Sequence, residues 1–251
     1  MATMRDAFET WEAWTAAGAD VAAATVVRVA GSAPRPEGSR FLATADGEMF
    51  GSVSGGCVEN DAYLHAAAVL GGADPLLVTY GIADEEAFEV GLACGGTIQV
   101  FIAPMRGEAL EAARAALIGG RRGALATVVS GPGTGDTAFL DADGVVEAGS
   151  LPDGLAADAG SDALRLAESE QAATLAYGDR EVFLEPVLPP PHLVIWGADE
   201  VAIPLSEMSA RAGFRVTVCD PRPAFTTPRR FPAADRVLVG WPGDLESEVA
   251  F

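Results

Sequence analysis

The chain has 251 residues, with 36 acidic against 16 basic side chains, a formal charge of −20 and an isoelectric point of about 4.3. Every basic residue is arginine, which excludes a Walker A loop and a Schiff-base lysine; the acidic balance argues against nucleic acid as a partner. Two histidines leave little material for a histidine-rich zinc site, and 49% apolar content at this length fills one large core or two modest ones without disulfide or metal staples.

Met1 to Gly18 has the pattern of an amphipathic helix, with Met4, Phe8 and Trp11 on one face. Thr25 to Val29 reads as a strand. Phe41–Thr44 and Glu48–Phe50 read as a hairpin turned by Asp46-Gly47, and Glu59 to Leu70 as a helix with Ala62, Ala66, Val69 and Leu70 on one face. Leu76 to Tyr80 predicts a buried strand, Thr97 to Ile102 another, and Glu108 to Ile118 an amphipathic helix. Residues 124–129 predict a strand, followed by a second hairpin from Thr137 to Glu147 around Asp143-Gly144. The Gly-, Asp- and Ala-rich stretch 149–162 reads as a loop leading to a short helix near Ala163–Tyr177, and Glu181–Pro186 as a closing strand. No repeat of solenoid type is visible.

Pro189-Pro190-Pro191 marks a boundary, because three prolines fit neither a helix interior nor a central strand. Beyond it, His192–Trp196, a helix from Glu200 to Ala212, and Arg215–Cys219 ending at Asp220 form a βαβ unit, with Arg236–Val239 as a third strand. The expected fold class is α/β. An N-terminal domain with a mixed sheet spans 1–188, and a partial, parallel, Rossmann-like domain spans 192–251. A sheet ending after three strands has an open edge at its first strand, so a homodimer or a partner chain that completes it is expected.

The chemistry concentrates in three short segments. Gly51-Ser52-Val53-Ser54-Gly55-Gly56-Cys57-Val58-Glu59 places glycines, hydroxyls and a thiol where a strand runs into a helix, an arrangement suited to phosphate or carboxylate. A tight turn that needs glycine for its geometry alone is the plainer reading. Gly31-Ser32-Ala33-Pro34-Arg35-Pro36-Glu37-Gly38 follows the first strand, and Cys94-Gly95-Gly96 precedes another. Arg35, held between two prolines, suits a phosphate or else an ion pair with Glu37. Glu59 and Asp61 suit the first turn of a helix. Cys57 and Cys94 lie too far apart for a CxxC motif, and each is either a small buried hydrophobe or a thiol beside an anion-friendly loop; Cys219 reads as core.

The order GSxPRxxG, GSxSGGCxE, CGG resembles the N-terminal domain of the XdhC/CoxI family of xanthine dehydrogenase accessory factors. The region from Leu193, with Asp220-Pro221-Arg222-Pro223-Ala224-Phe225 and Arg230 to Asp235, resembles that family's Rossmann domain. The resemblance implies a chaperone without turnover that binds molybdenum cofactor and promotes its sulfuration and insertion into a molybdenum hydroxylase, acting with a cysteine desulfurase. It makes Arg35, Ser52, Ser54, Gly55, Gly56, Cys57, Glu59, Cys94, Gly95, Gly96, Gly197 and Asp220 candidate cofactor-binding residues, with Cys57 and Cys94 as metal ligands. The alternative is an NAD(P)-dependent oxidoreductase that uses Gly197 and Asp220. Against it, Asp199 stands where a second glycine would admit the pyrophosphate. Three cysteines and no signal-like start lead to the expectation of a cytoplasmic protein without a membrane span, and the lysine-free acidic surface to that of a high-salt cytoplasm.

Overall fold

The computed structural model describes residues 4–81 and 95–249 and divides the chain into two compact units, Met1–Pro189 and Pro190–Phe251. In chain order the first unit runs α1 (Met4–Ala16), β1 (Val21–Ala30), β2 (Arg40–Thr44), β3 (Met49–Gly51), α2 (Glu59–Leu70), β4 (Leu76–Tyr80), β5 (Thr97–Pro104), α3 (Glu108–Ile118), β6 (Gly123–Ser130), β7 (Thr137–Leu140), β8 (Val146–Gly149), α4 (Ala156–Ser169), β9 (Ala173–Tyr177) and β10 (Arg180–Val187). The second runs β11 (His192–Trp196), α5 (Ala202–Arg211), β12 (Arg215–Asp220), β13 (Arg236–Val239) and α6 (Pro242–Leu245).

The α/β class holds, with one difference in pairing. The first unit contains two five-stranded sheets, ordered β3-β2-β1-β5-β4 and β8-β7-β6-β10-β9, and their pairs are antiparallel, where the sequence leads to a mixed sheet. Parallel pairing belongs to the second unit, in the order β11-β12-β13. A second difference concerns the stretch expected as a helix near Ala163–Tyr177. The helix α4 begins at Ala156, and Ala173–Tyr177 is a strand paired with β10 across the tight turn at Gly178-Asp179. In the strand Leu76–Tyr80, expected to be buried, Tyr80 alone is buried, while Leu76 to Val78 are half-buried and Thr79 is exposed.

The two sheets are copies of one design. Each has a helix, a three-stranded meander, a second helix and two further strands, so that α1 to β5 repeats as α3 to β10. The correspondence reaches single residues. Gly47 in the first hairpin turn donates to Thr44 O as Gly144 donates to Asp141 O, and Ala62, Ala66 and Val69 on the buried face of α2 match Ala159, Ala163 and Leu166 on α4. Gln99-Val100-Phe101-Ile102-Ala103-Pro104 matches Glu181-Val182-Phe183-Leu184-Glu185-Pro186. Both copies carry a bulge, at Val27 and at Val129.

The equivalent residues Val27 and Val129, Phe101 and Phe183 meet in one cluster where the sheets pack together. Emptying one phenylalanine position in such a core costs about 3–5 kcal/mol. The outer faces bury α2 against Val26, Val100 and Ile102, and α4 against Val128, Val182 and Leu184. The helices α1 and α3 share a third cluster through Phe8, Trp11, Ala113 and Leu117.

Candidate functional site

The two copies differ most in their loops, and the candidate residues of the first unit sit on those differences. Both third strands end in Gly-Ser at the same position. A Cβ on Gly51 would lie 2.2 Å from the Arg40 carbonyl oxygen, and one on Gly149 2.2 Å from that of Thr137, so both turns require glycine. Ser52 and Ser150 then donate from their N–H groups to those same carbonyls, at 2.8 and 3.1 Å. From there the chains diverge: Val53 to Cys57 leads to Val58 at the start of α2, while the shorter Leu151 to Gly154 leads to Leu155 at the start of α4.

Three loops converge on this end of the first copy. A Cβ on Gly55 would lie 3.9 Å from the Pro34 Cβ, and the Gly31 position touches Gly96 at 3.5 Å. Gly96 approaches so closely that a Cβ there would stand 2.1 Å from the Ser32 carbonyl oxygen. The segments carrying Arg35, Cys57 and Gly95-Gly96 are therefore neighbours. Cys94 lies outside the described residues.

Val53 and Val58 are fully buried and anchor the loop, while Gly55, Gly56 and Cys57 are exposed at its tip. The N–H groups of Val53, Ser54, Gly56 and Val58 are not open to an incoming anion, because Glu59 fills the cradle from within. Glu59 Oε1 accepts from the Ser52 hydroxyl at 2.6 Å, Val53 N–H at 3.1 Å and Ser54 N–H at 2.9 Å. Its Oε2 accepts from the Ser54 hydroxyl at 2.5 Å, Gly56 N–H at 2.8 Å and Val58 N–H at 3.2 Å. Burial acts to raise the carboxyl's pKa, but the hydroxyls of Ser52 and Ser54 and the backbone of Ser54 outweigh it and bring it from 4.5 to about 2. The sequence shows the donors and the acid without showing that they belong to each other.

Arg35 is partly buried, and its Nε is enclosed with no hydrogen-bond partner. Glu37, the expected ion-pair candidate, accepts instead from Val29 N–H at 3.2 Å. On the other side of α2, Asp61 accepts from the Tyr80 hydroxyl at 2.7 Å and faces His65 at 3.4 Å. Burial, then the Asp61 hydrogen bond and charge, push the Tyr80 phenol far above its ordinary value. In the second copy Tyr177, the match of Tyr80, donates at 2.8 Å to Asp162, one helical turn beyond the Asp158 that matches Asp61, so a strand tyrosine bonded to a helix aspartate recurs with a shifted partner.

In the second unit, Gly197 and Asp220 lie at the carboxyl ends of β11 and β12, the side where such sheets take ligands. Asp220 is already engaged, accepting from Ala198 N–H at 2.9 Å and from the Arg222 guanidinium at 2.9 and 2.8 Å. Arg222, then the Ala198 N–H, holds its carboxyl far below the usual range. Asp199 Oδ1 accepts from the N–H groups of Val201 and Ala202 at 3.0 and 3.1 Å, covering the N-terminal end of α5. Arg222 stacks over the Phe225 ring at 4.3 Å and Arg230 at 5.1 Å. Cys219 is buried, as expected, and burial raises its pKa.

The model of the XdhC and CoxI family matches residues 14–81, within the first copy, and that of the XdhC Rossmann domain matches residues 193–250. Over 235 residues the chain is 30% identical to a probable xanthine dehydrogenase subunit of Bacillus subtilis (strain 168), an overlap of 91% of this chain and 68% of that protein. A stretch of 82 residues, 33% of the chain, is 35% identical to the molybdenum cofactor insertion chaperone PaoD of Escherichia coli (strain K12) and covers 26% of it. The crystal structure of a xanthine dehydrogenase from Bacillus halodurans shares the fold, with a TM-score of 0.76 at 24% identity over 97% of this chain and 71% of that one. With both of its units matched in order and a relative aligned across nearly its whole length, this chain belongs to the XdhC and CoxI family.

Proposed function

We propose that this protein is a molybdenum cofactor chaperone that receives the cofactor and passes it to a molybdenum hydroxylase, with no turnover of its own. The observation that carries the reading is the exposed Cys57 thiol, presented at the tip of an ordered loop against the loop that holds Arg35. The cargo offers two handles, a soft metal centre and a phosphate. A thiolate suits the first, and a guanidinium suits the second. With the N–H groups of Val53, Ser54, Gly56 and Val58 committed to Glu59, Arg35 is the cation of this site for the phosphate; Gly95-Gly96 keeps the third loop close, and Cys94 is the second candidate thiol. The relative named as a molybdenum cofactor insertion chaperone supports the same direction.

The finer steps follow from this role. A cysteine desulfurase supplies sulfur to the bound cofactor before insertion, and the client is a hydroxylase of the xanthine dehydrogenase or carbon monoxide dehydrogenase type, met in the cytoplasm. No helix among the described residues is long and apolar enough to cross a membrane. The edge strand β11, together with the exposed Val201 just before α5 and Leu205 and Met208 on it, serves either a second copy or a partner chain. The Rossmann-like unit does not use NAD(P), because Asp199 sets a carboxylate where the pyrophosphate needs open donors and Asp220, the acid that would hold the ribose, is engaged by Arg222 and Ala198.

The test is retention of cargo. The chain is loaded with molybdenum cofactor and desalted, and molybdenum and pterin fluorescence are then measured. Cys57→Ala should lose most of both while its melting temperature stays near that of the parent. Full retention by Cys57→Ala, or an equal collapse of stability, overturns the reading.

A further inference from the structure

The carboxylate inside the Cys57 loop has no counterpart in the second copy. There the same Gly-Ser turn, Gly149-Ser150, leads into the same kind of helix start, and the residue matching Glu59 is Ala156. The strand end and the helix start therefore form without an acid. Two features occur together in the first copy alone: a longer loop carrying Cys57, and an acid that gathers that loop's donors. Glu59 receives six hydrogen bonds, three on each oxygen, from residues on both sides of the exposed tip. Two more bonds brace the same turn, from Gly55 N–H to the Ser52 hydroxyl at 2.8 Å and from Val58 N–H to the Ser54 hydroxyl at 2.9 Å.

Gly55 and Gly56 would otherwise leave this segment with wide backbone freedom. The donors at Gly56 and Val58 flank Cys57, so the carboxylate fixes the backbone on either side of the thiol. We infer that Glu59 is a positioning residue for Cys57: it does not touch the cargo, and it sets the direction in which the thiol projects. The inference rests on Cys57 as the ligand of the proposed cargo, but the placement of the thiol can be read with no cargo present. An amide of equal size cannot substitute, because glutamine keeps one acceptor oxygen and turns an NH2 toward N–H groups that need acceptors.

A nitroxide attached to Cys57 in a Cys94→Ala chain reports the loop directly, Cys219 being buried. The parent should give the broad spectrum of an immobilised label, and Glu59→Gln a narrow, mobile one. Glu59→Ala should regain the broad spectrum when acetate is added to supply the missing carboxylate. Cofactor affinity of Glu59→Gln, measured on the unlabelled chain, should fall about tenfold or more, the scale on which a metal site weakens when support for its ligand is lost. Ser52→Ala, which removes one donor to Glu59 and the acceptor of Gly55 N–H, should be intermediate in label mobility and decides the matter if Glu59→Gln does not fold. Parent-like spectra in the folded variants overturn the inference. A mobile label in Glu59→Gln, together with undiminished cargo retention by Cys57→Ala, would leave the positioning role standing and remove the proposed function instead.

Discussion

Arg40 on β2 and Glu185 on β10 join the two sheets of the first unit as a two-pronged ion pair, Nη1 donating to Oε1 at 2.6 Å and Nη2 to Oε2, with side chains only 11% and 8% exposed. The matching residues of the two copies are Thr137 and Ala103, so the pair is not mirrored across the repeat. Breaking such a pair strands a charge in a nearly dry interface. Arg40→Ala or Glu185→Ala should each cost about 3–5 kcal/mol in urea denaturation, whereas Arg40→Leu with Glu185→Leu should cost much less than the two single changes together.

Acid should act on the Cys57 loop within a defined window. Glu59 has a depressed pKa in the folded chain, so its contribution to stability is complete above its ordinary 4.5 and disappears as pH falls through about 2. Glu59→Gln should therefore be less stable than the parent at neutral pH, with the difference shrinking between pH 4.5 and 2. Denaturation curves across that range check this, and a constant difference would assign the effect to packing.

Nicotinamide nucleotides should bind weakly or not at all. A diphosphate at the N-terminal end of α5 would have to displace Asp199 from Val201 and Ala202, and two charges about 4 Å apart repel by about 1 kcal/mol even in bulk water. Calorimetry with NADH should show no saturable heat. Tight binding that Asp220→Ala abolishes would contradict this.

Association should proceed through the second unit. Its exposed apolar side chains include Trp196, Val201, Leu205, Met208 and Trp241, and among the described residues β11 has a free edge. Light scattering in concentrated KCl, which screens the charge of −20, should give at least twice the chain mass. Leu205→Glu with Met208→Glu should return it to the monomer value.

The elements legible in the sequence are those whose signals are local. Asp46-Gly47 marks its hairpin, and the apolar spacing of α2 and α3 gives their bounds as found. The start of α4 is hidden because Gly160 reads as a breaker. In the fold it is buried, and a Cβ there would stand 2.2 Å from the Gly144 carbonyl oxygen, a demand made by a distant turn. Strand β9 reads as helix because the turn at Gly178-Asp179 is a weaker signal than the alanines before it. At the site, the glycines, the thiol and the acid are all visible. The bonds that turn Glu59 back onto Ser52 and Ser54 are not, because no periodicity encodes them.

The repeat within the first unit also bears on how an asymmetric site can exist on a nearly symmetric body. Val27, Phe101, Val129 and Phe183 pack across the sheets as equivalent surfaces of two identical chains would across a two-fold axis. Two separate identical chains would have to present the cysteine loop twice or not at all. Joined in one polypeptide, the halves are free to specialise: α4 begins with a plain turn and keeps the shared core closed, while the loop before α2 is released from symmetry to carry a thiol. Cutting the chain between β5 and α3 should therefore yield two pieces that each expose an apolar sheet face and are soluble only when expressed together.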